Sequence, residues 1–235
     1  MPTPPTLSYK RDEHYYISDG NVVIAVENVL FKLHRSRLDA YSPVFREMWS
    51  IPTPTSEGGS EEGQSDENPI ILHGIKAIDF TRFLWIVYPL DLGVYEAKTV
   101  EDWKSILDQA ERWQVDSLRT LAAEQLHKLD ILPVAKISLW NKYNLDRSML
   151  SESFRDLCVR AESLTEEEAM DLGMAIFIKV AKGRDEVHRF GICNCFGRHP
   201  PEDRITGQLT RIVRDVFGIV SEDSSKHLLF SKSIR

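Results

Sequence analysis

Residues Asp19 to Ile51 read DGNVVIAVENVLFKLHRSRLDAYSPVFREMWSI. Val22 to Val26 is an apolar and mostly β-branched run, the pattern of a buried strand. Glu27 and Asn28 form a polar pair suited to a tight turn. Val29 to Leu33 reads as the returning strand, with Leu30 or Phe31 facing inward. His34 to Tyr41 has helical character. Ser42 and Pro43 then open a second helix: serine can cap it, and proline suits the first helical position because its missing N–H is not needed there. Val44, Phe45, Met48 and Trp49 follow at helical spacing, and Pro52 stops the run.

The same residues carry a resemblance. Asp19, Gly20, Val22, Val23 and Val26, followed by Phe31, His34, Arg35, Leu38, Ser42, Pro43, Val44, Phe45, Arg46 and Met48, make a pattern similar to that of the BTB/POZ domain. Among its members the chain most resembles fungal BTB proteins. The resemblance runs on through ILDQAERWQVDSLRTLAAEQL, which is similar to the paired final helices of that domain, and covers residues 15 to 130. It implies an α+β fold in which helices flank a small mixed sheet.

Bulk properties agree with an ordinary globular chain. The 235 residues allow one or two domains, with 42% hydrophobic and 28% charged residues. The formal net charge of −7 argues against a binder of duplex nucleic acid, which shows a basic face. No apolar run reaches membrane-spanning length, and MPTPPTLSYKRDEHYY has no apolar signal core, so no membrane partner is expected. Three cysteines, Cys158, Cys193 and Cys195, make a disulfide framework a poor reading and point to a reducing cytoplasmic or nuclear compartment.

Along the chain, residues 1–14 read as a flexible lead-in. Residues 52–69 contain five acidic residues, no lysine or arginine, and abundant Gly, Ser and Pro. They read as a disordered acidic loop within the domain. Ile70 to Leu72 is a short strand, and Ala77 to Tyr88 a helix closed by Pro89. Thr99 caps a helix whose apolar face is Trp103, Ile106, Leu107, Ala110 and Trp113. Residues 131–182 read as an all-α extension, with a capping box at Thr165 to Glu168. Residues 183–235 read as a linker followed by an amphipathic helix carrying Leu209, Ile212, Val213, Val216 and Phe217.

Catalytic motifs are missing: no G-x-S-x-G, no phosphate-cradling glycine loop, no H-E-x-x-H. The expectation is therefore no enzyme and no cofactor. His188, Cys193, Cys195 and His199 supply enough donors for zinc, but C-x-C is tighter than the usual spacing, and ordinary loop thiols are the favoured reading. Cys158 reads as a small core residue.

Function is what the resemblance implies: protein association, in a homodimer or higher assembly. Expected interface residues are Tyr15, Tyr16, Val22, Val23, Leu38, Tyr41, Phe45 and Met48. Some transcriptional BTB domains hold a pocket made by an Asp and a basic residue; here the positions are Asn21 and Arg35, and the Asp is lost. The alternative is a ubiquitin-ligase adaptor that holds a cullin scaffold. The apolar-x-Glu motif common in such adaptors is not found after Met48 and Trp49.

Overall fold

The computed structural model describes residues 8–50, 62–91, 94–191 and 202–219. They fall into two compact units, Met1–Leu129 and Asp130–Arg235.

The first unit is built on a four-stranded mixed sheet. Its strands are β1 (Lys10–Tyr16), β2 (Val22–Val26), β3 (Val29–Leu33) and β4 (Ile70–Leu72), in the order β1-β3-β2-β4. β2 and β3 are an antiparallel hairpin with Val26 opposite Val29, which puts Glu27 and Asn28 in the turn. Glu27 takes a positive φ of 54°, as such a tight turn requires. β1 and β4 lie parallel to their neighbours at the two edges. All five residues of β2 are buried, and this explains a continuous apolar run in place of alternation. Ile24 pairs with Phe31, and Phe31 meets Phe80 edge-on at 5.0 Å. On the other face, Val23, Ala25 and Leu30 form a small cluster closed by Tyr9 and Tyr16.

Among the described residues, five helices complete this unit: α1 (Arg35–Tyr41), α2 (Pro43–Met48), α3 (Ala77–Val87), α4 (Val100–Arg112) and α5 (Asp116–Lys128). Phe45 lies at 4.3 Å from Trp113 and 6.5 Å from Phe83, so α2 is pinned to the rest by aromatic packing. Ser42 is fully buried, and both sides of its hydroxyl are used. It accepts the Phe45 N–H at 3.2 Å as the cap of α2 and donates to the Trp113 carbonyl at 2.7 Å. Thr99 and Asp102 form a reciprocal capping box on α4.

Two readings of the first unit change. Residues 10–14 are not part of a flexible lead-in, because β1 begins at Lys10. The strand is a bulged edge: its register shifts between Arg11 and Tyr16, and Asp12 Oδ1 accepts the N–H groups of His14 and Tyr15. A strand written KRDEHYY has no apolar alternation to announce it. The second change concerns the acidic loop. Its residues 52–61 lie outside the described residues, but 62–69 are bonded to the sheet. The Gly63 carbonyl accepts the Val23 N–H at 2.7 Å, and Asp66 accepts from both Tyr16 and Arg11. Gly63 has a φ of 85°, and a Cβ there would come within 2.8 Å of Ile70.

The second unit is helical: α6 (Pro133–Lys142), α7 (Ser151–Val159), α8 (Glu166–Leu172), α9 (Met174–Arg189) and α10 (Glu202–Ile212), the last followed by a π-type turn at Val213–Phe217. Phe154 stacks on Phe217 at 4.1 Å. Gly183, expected to begin a linker, sits inside α9 and is buried. A Cβ at Gly183 would lie 2.6 Å from Cys158 Sγ, so the glycine serves close helix packing and not chain freedom. Cys158 is buried as expected, and burial pushes its thiol up to about 12.

Candidate interaction surface

The loop before α1 brings several singled-out residues together. Asn21 Oδ1 accepts the Arg35 N–H at 2.8 Å, satisfying one of the free amides at the start of α1. Asn21 and Arg35, expected as pocket partners, are therefore neighbours, and both are exposed. An asparagine preserves this acceptor while removing the negative charge an aspartate would bring. His34 is held from both sides. Its N–H donates to the Tyr88 hydroxyl at 2.9 Å, its ring stacks on the Tyr88 ring at 6.2 Å, and its Nε2 lies 3.4 Å from the exposed Asp19 carboxylate. The Tyr88 hydroxyl donates in turn to the His34 carbonyl, at 3.3 Å. The histidine is thus engaged at a strand-to-helix junction, and the Tyr88 hydroxyl beside it is committed to backbone.

α1 and α2 present arginines laid over aromatic rings. The Arg35 guanidinium lies 5.2 Å from the Trp49 ring centre, and Arg37 lies 5.3 Å from Tyr41 and 5.8 Å from Tyr88. Arg37 Nε also donates to the Val87 carbonyl at 3.0 Å. Asp39 ties the two helices: its carboxylate accepts from the Trp49 indole, and its carbonyl accepts from Arg46 at 2.9 Å. Among the described residues only a marginal ion pair, Arg35 to Asp39 at 3.9 Å, touches this set, and Arg35, Arg37 and Arg46 are exposed. Aromatic rings and arginine are the residue types enriched at protein interfaces, the rings because they offer large contact area at low cost in conformational entropy.

The eight expected interface residues separate into two groups. Tyr15, Val22, Val23, Leu38 and Phe45 are buried inside the unit, none more than 4% exposed. They build its own core, which corrects their reading as contact surface. The apolar pattern was right for burial and silent on what does the burying. Tyr41 is 38% exposed, and Tyr16 and Met48 are half-buried. Arg37, Arg46 and Trp49 were not among the expected residues, and their signal was an arginine–aromatic alternation along RSRLDAYSPVFREMW.

Other polar groupings serve the fold. In an open cleft, Glu27 accepts the Ala77 N–H at 2.9 Å, Asp79 accepts from Ser105 at 2.6 Å, and Arg112 donates to the Gly74 carbonyl at 3.0 Å. Glu27 thereby caps α3 across 50 residues. Of the four donors considered for zinc, Cys193, Cys195 and His199 lie outside the described residues; His188 is exposed near the end of α9. Among the described residues no three His, Cys, Asp or Glu are grouped to hold a metal. Among them, too, no helix is long and apolar enough to cross a membrane.

The family model of the BTB/POZ domain matches residues 15–129 of the chain. No curated protein matches it.

Proposed function

We infer that this chain, whose residues 15–129 form a BTB/POZ domain, is a non-enzymatic interaction protein that associates with copies of itself through the α1–α2 surface. BTB/POZ domains mediate protein–protein interaction. The observation that carries the reading is the paired arrangement of Arg37 with Tyr41 and Arg35 with Trp49 on adjoining short helices. Their cations are solvent-facing and their rings are poised to be covered. A second subunit would desolvate both at once, and partly buried cation–π pairs strengthen when water leaves. The edge of β1 is a poor alternative, because its bulge and the Asp12 side chain interrupt the backbone ladder a partner strand would need.

Mass measurement in solution tests this. The intact chain is expected as a dimer or larger at micromolar concentration, and Tyr41→Glu is expected to shift it towards monomer without loss of helix content. A wild-type chain that is monomeric under these conditions would overturn the reading.

The alternative is an adaptor that presents another protein to a cullin-type ubiquitin ligase. It is favoured by one observation, the separate helical unit that follows the domain. A pull-down with a cullin N-terminal region decides it; retention supports the adaptor, and no retention removes it.

A further inference from the structure

α9 is apolar on two opposite sides. Val180, Gly183 and Val187 are buried within the second unit. On the other side Met174 is 70% and Ile178 58% exposed, and Ala181 is exposed on the same helical face. A helix that is apolar all round is buried all round. Unbranched methionine adapts to whatever apolar side chains are laid on it.

The charges around this face say what covers it. Glu166, Glu167 and Asp171 are exposed on α8, which leads into the face, and Asp185 is exposed on the face itself, one turn beyond Ala181. None of the four makes an ion pair with a described residue, whereas Glu168 is taken by Arg160 and Glu186 by Arg189. The other exposed charge between Glu166 and Asp185 is Lys182, on the flank; Lys179 is half-buried and lies off the face. An apolar patch with unpaired carboxylates at both ends suits a segment that is apolar in the middle and basic at both ends.

The chain itself carries such a segment. Residues 226–232 read KHLLFSK, with Leu228, Leu229 and Phe230 between Lys226 and Lys232, and no acidic residue follows Asp223. Residues 220–235 lie outside the described residues, and the last described residue, Ile219, is buried. Just before it, Phe217 packs beside the middle of α9: its ring lies 3.4 Å from where a Cβ at Gly183 would stand. The helix from Gly183 back to Met174 is about 14 Å long. The chain from Ile219 to Leu228 can span about 30 Å, so the segment reaches the face from where the described chain ends.

We propose that the Lys226–Lys232 segment of the same chain covers the Met174–Ile178–Ala181 face of α9. Its apolar trio meets Met174 and Ile178, and its two lysines meet the carboxylates at the ends of the face. The second unit thereby covers its own apolar surface, independently of the α1–α2 surface of the BTB/POZ domain.

The experiment uses the intact chain and hydrogen peroxide as a probe of methionine exposure, read by peptide mass spectrometry. Met174 is expected to oxidise several-fold faster in a chain ending at Asp223 than in the wild type. Met149, in the turn before α7, is the reference whose rate stays unchanged. In the full-length chain Lys226→Glu/Lys232→Glu is expected to speed Met174 oxidation as truncation does. Adding Asp171→Lys/Asp185→Lys to that variant is expected to restore slow oxidation, because both charge pairs are then reversed. Circular dichroism confirms that each variant is folded. Equal Met174 rates in the wild-type and truncated chains overturn the proposal and leave the face to another protein. Failure of the second pair of reversals to restore protection overturns it as well. Protection within one chain does not depend on protein concentration; protection that grows with concentration makes the occupant a second copy and also overturns the proposal.

Discussion

Tyr88 and His34 exchange two hydrogen bonds across 54 residues of sequence, the tyrosine hydroxyl accepting the histidine N–H and donating to its carbonyl. The end of α3 is thereby fastened to the start of α1, beneath the arginine–aromatic surface. Arg37 also binds the Val87 carbonyl beside it, so the last turn of α3 sets the angle at which α1 offers its side chains.

Tyr88→Phe keeps the ring stacked on His34 and removes both bonds. A half-buried backbone N–H is left without its partner, which costs about 1–3 kcal/mol. Denaturant unfolding of the variant is expected to show a lower midpoint with an unchanged slope, and weaker self-association follows if α1 is reoriented.

Asp66 is the residue that fastens 62–69 to β1. Burial works against its ionised form, but the Tyr16 hydroxyl and the Arg11 guanidinium outweigh that and hold its carboxyl below the usual range. Asp66→Asn is expected to speed amide hydrogen exchange at Arg11, Tyr16 and Ile17 while leaving α3 to α5 unchanged. Unchanged exchange in β1 would show that the strand needs no such fastening.

Gly183→Ala is expected to destabilise the second unit, although alanine is the better helix former by about 1 kcal/mol. The added methyl would stand 2.6 Å from Cys158 Sγ, and such overpacking costs about 1–3 kcal/mol. In a Cys158→Ala background the sulfur is gone, and the same glycine change should then cost less or become favourable. A double-mutant cycle from thermal unfolding reads the coupling.

Glu168 sets an acid limit on the second unit. Hydrogen bonds from Arg160, then from the Thr165 N–H, lower its carboxyl from 4.5 to about 2. A depressed folded value means the contribution is whole above the unfolded value and is lost as pH falls from about 4.5 towards 2. Glu168→Gln should be less stable at neutral pH and lose less than the wild type over that acid window. A parallel loss in both, followed by pH-dependent unfolding, would place the acid sensitivity elsewhere.

Local chemistry was legible wherever the chain interacts with itself over a few residues. The β2–β3 hairpin, the Ser42 cap with Pro43 at the first turn, and the capping boxes at Thr99 and Thr165 all follow from residue type and short spacing. The hydrophobic period also marked Trp103, Ile106, Leu107, Ala110 and Trp113 as inward-facing, and each is buried. The α+β class of the first unit came from the resemblance that these residues carry to the BTB/POZ domain.

Which inward face meets which neighbour was decided only in three dimensions. Phe45 carries the same apolar signal whether a second subunit or Phe83 and Trp113 cover it, and hydrophobic burial has no direction that could tell the two apart. Asp66 looked like one more charge in an acidic tract until folding placed Arg11 and Tyr16, fifty or more residues earlier, within hydrogen-bonding reach. Gly183 looked like chain punctuation until Cys158 arrived against it. Periodicity and caps report contacts a few residues apart; a latch, a close approach or a free helical face depends on long-range neighbours, which only the closed chain supplies.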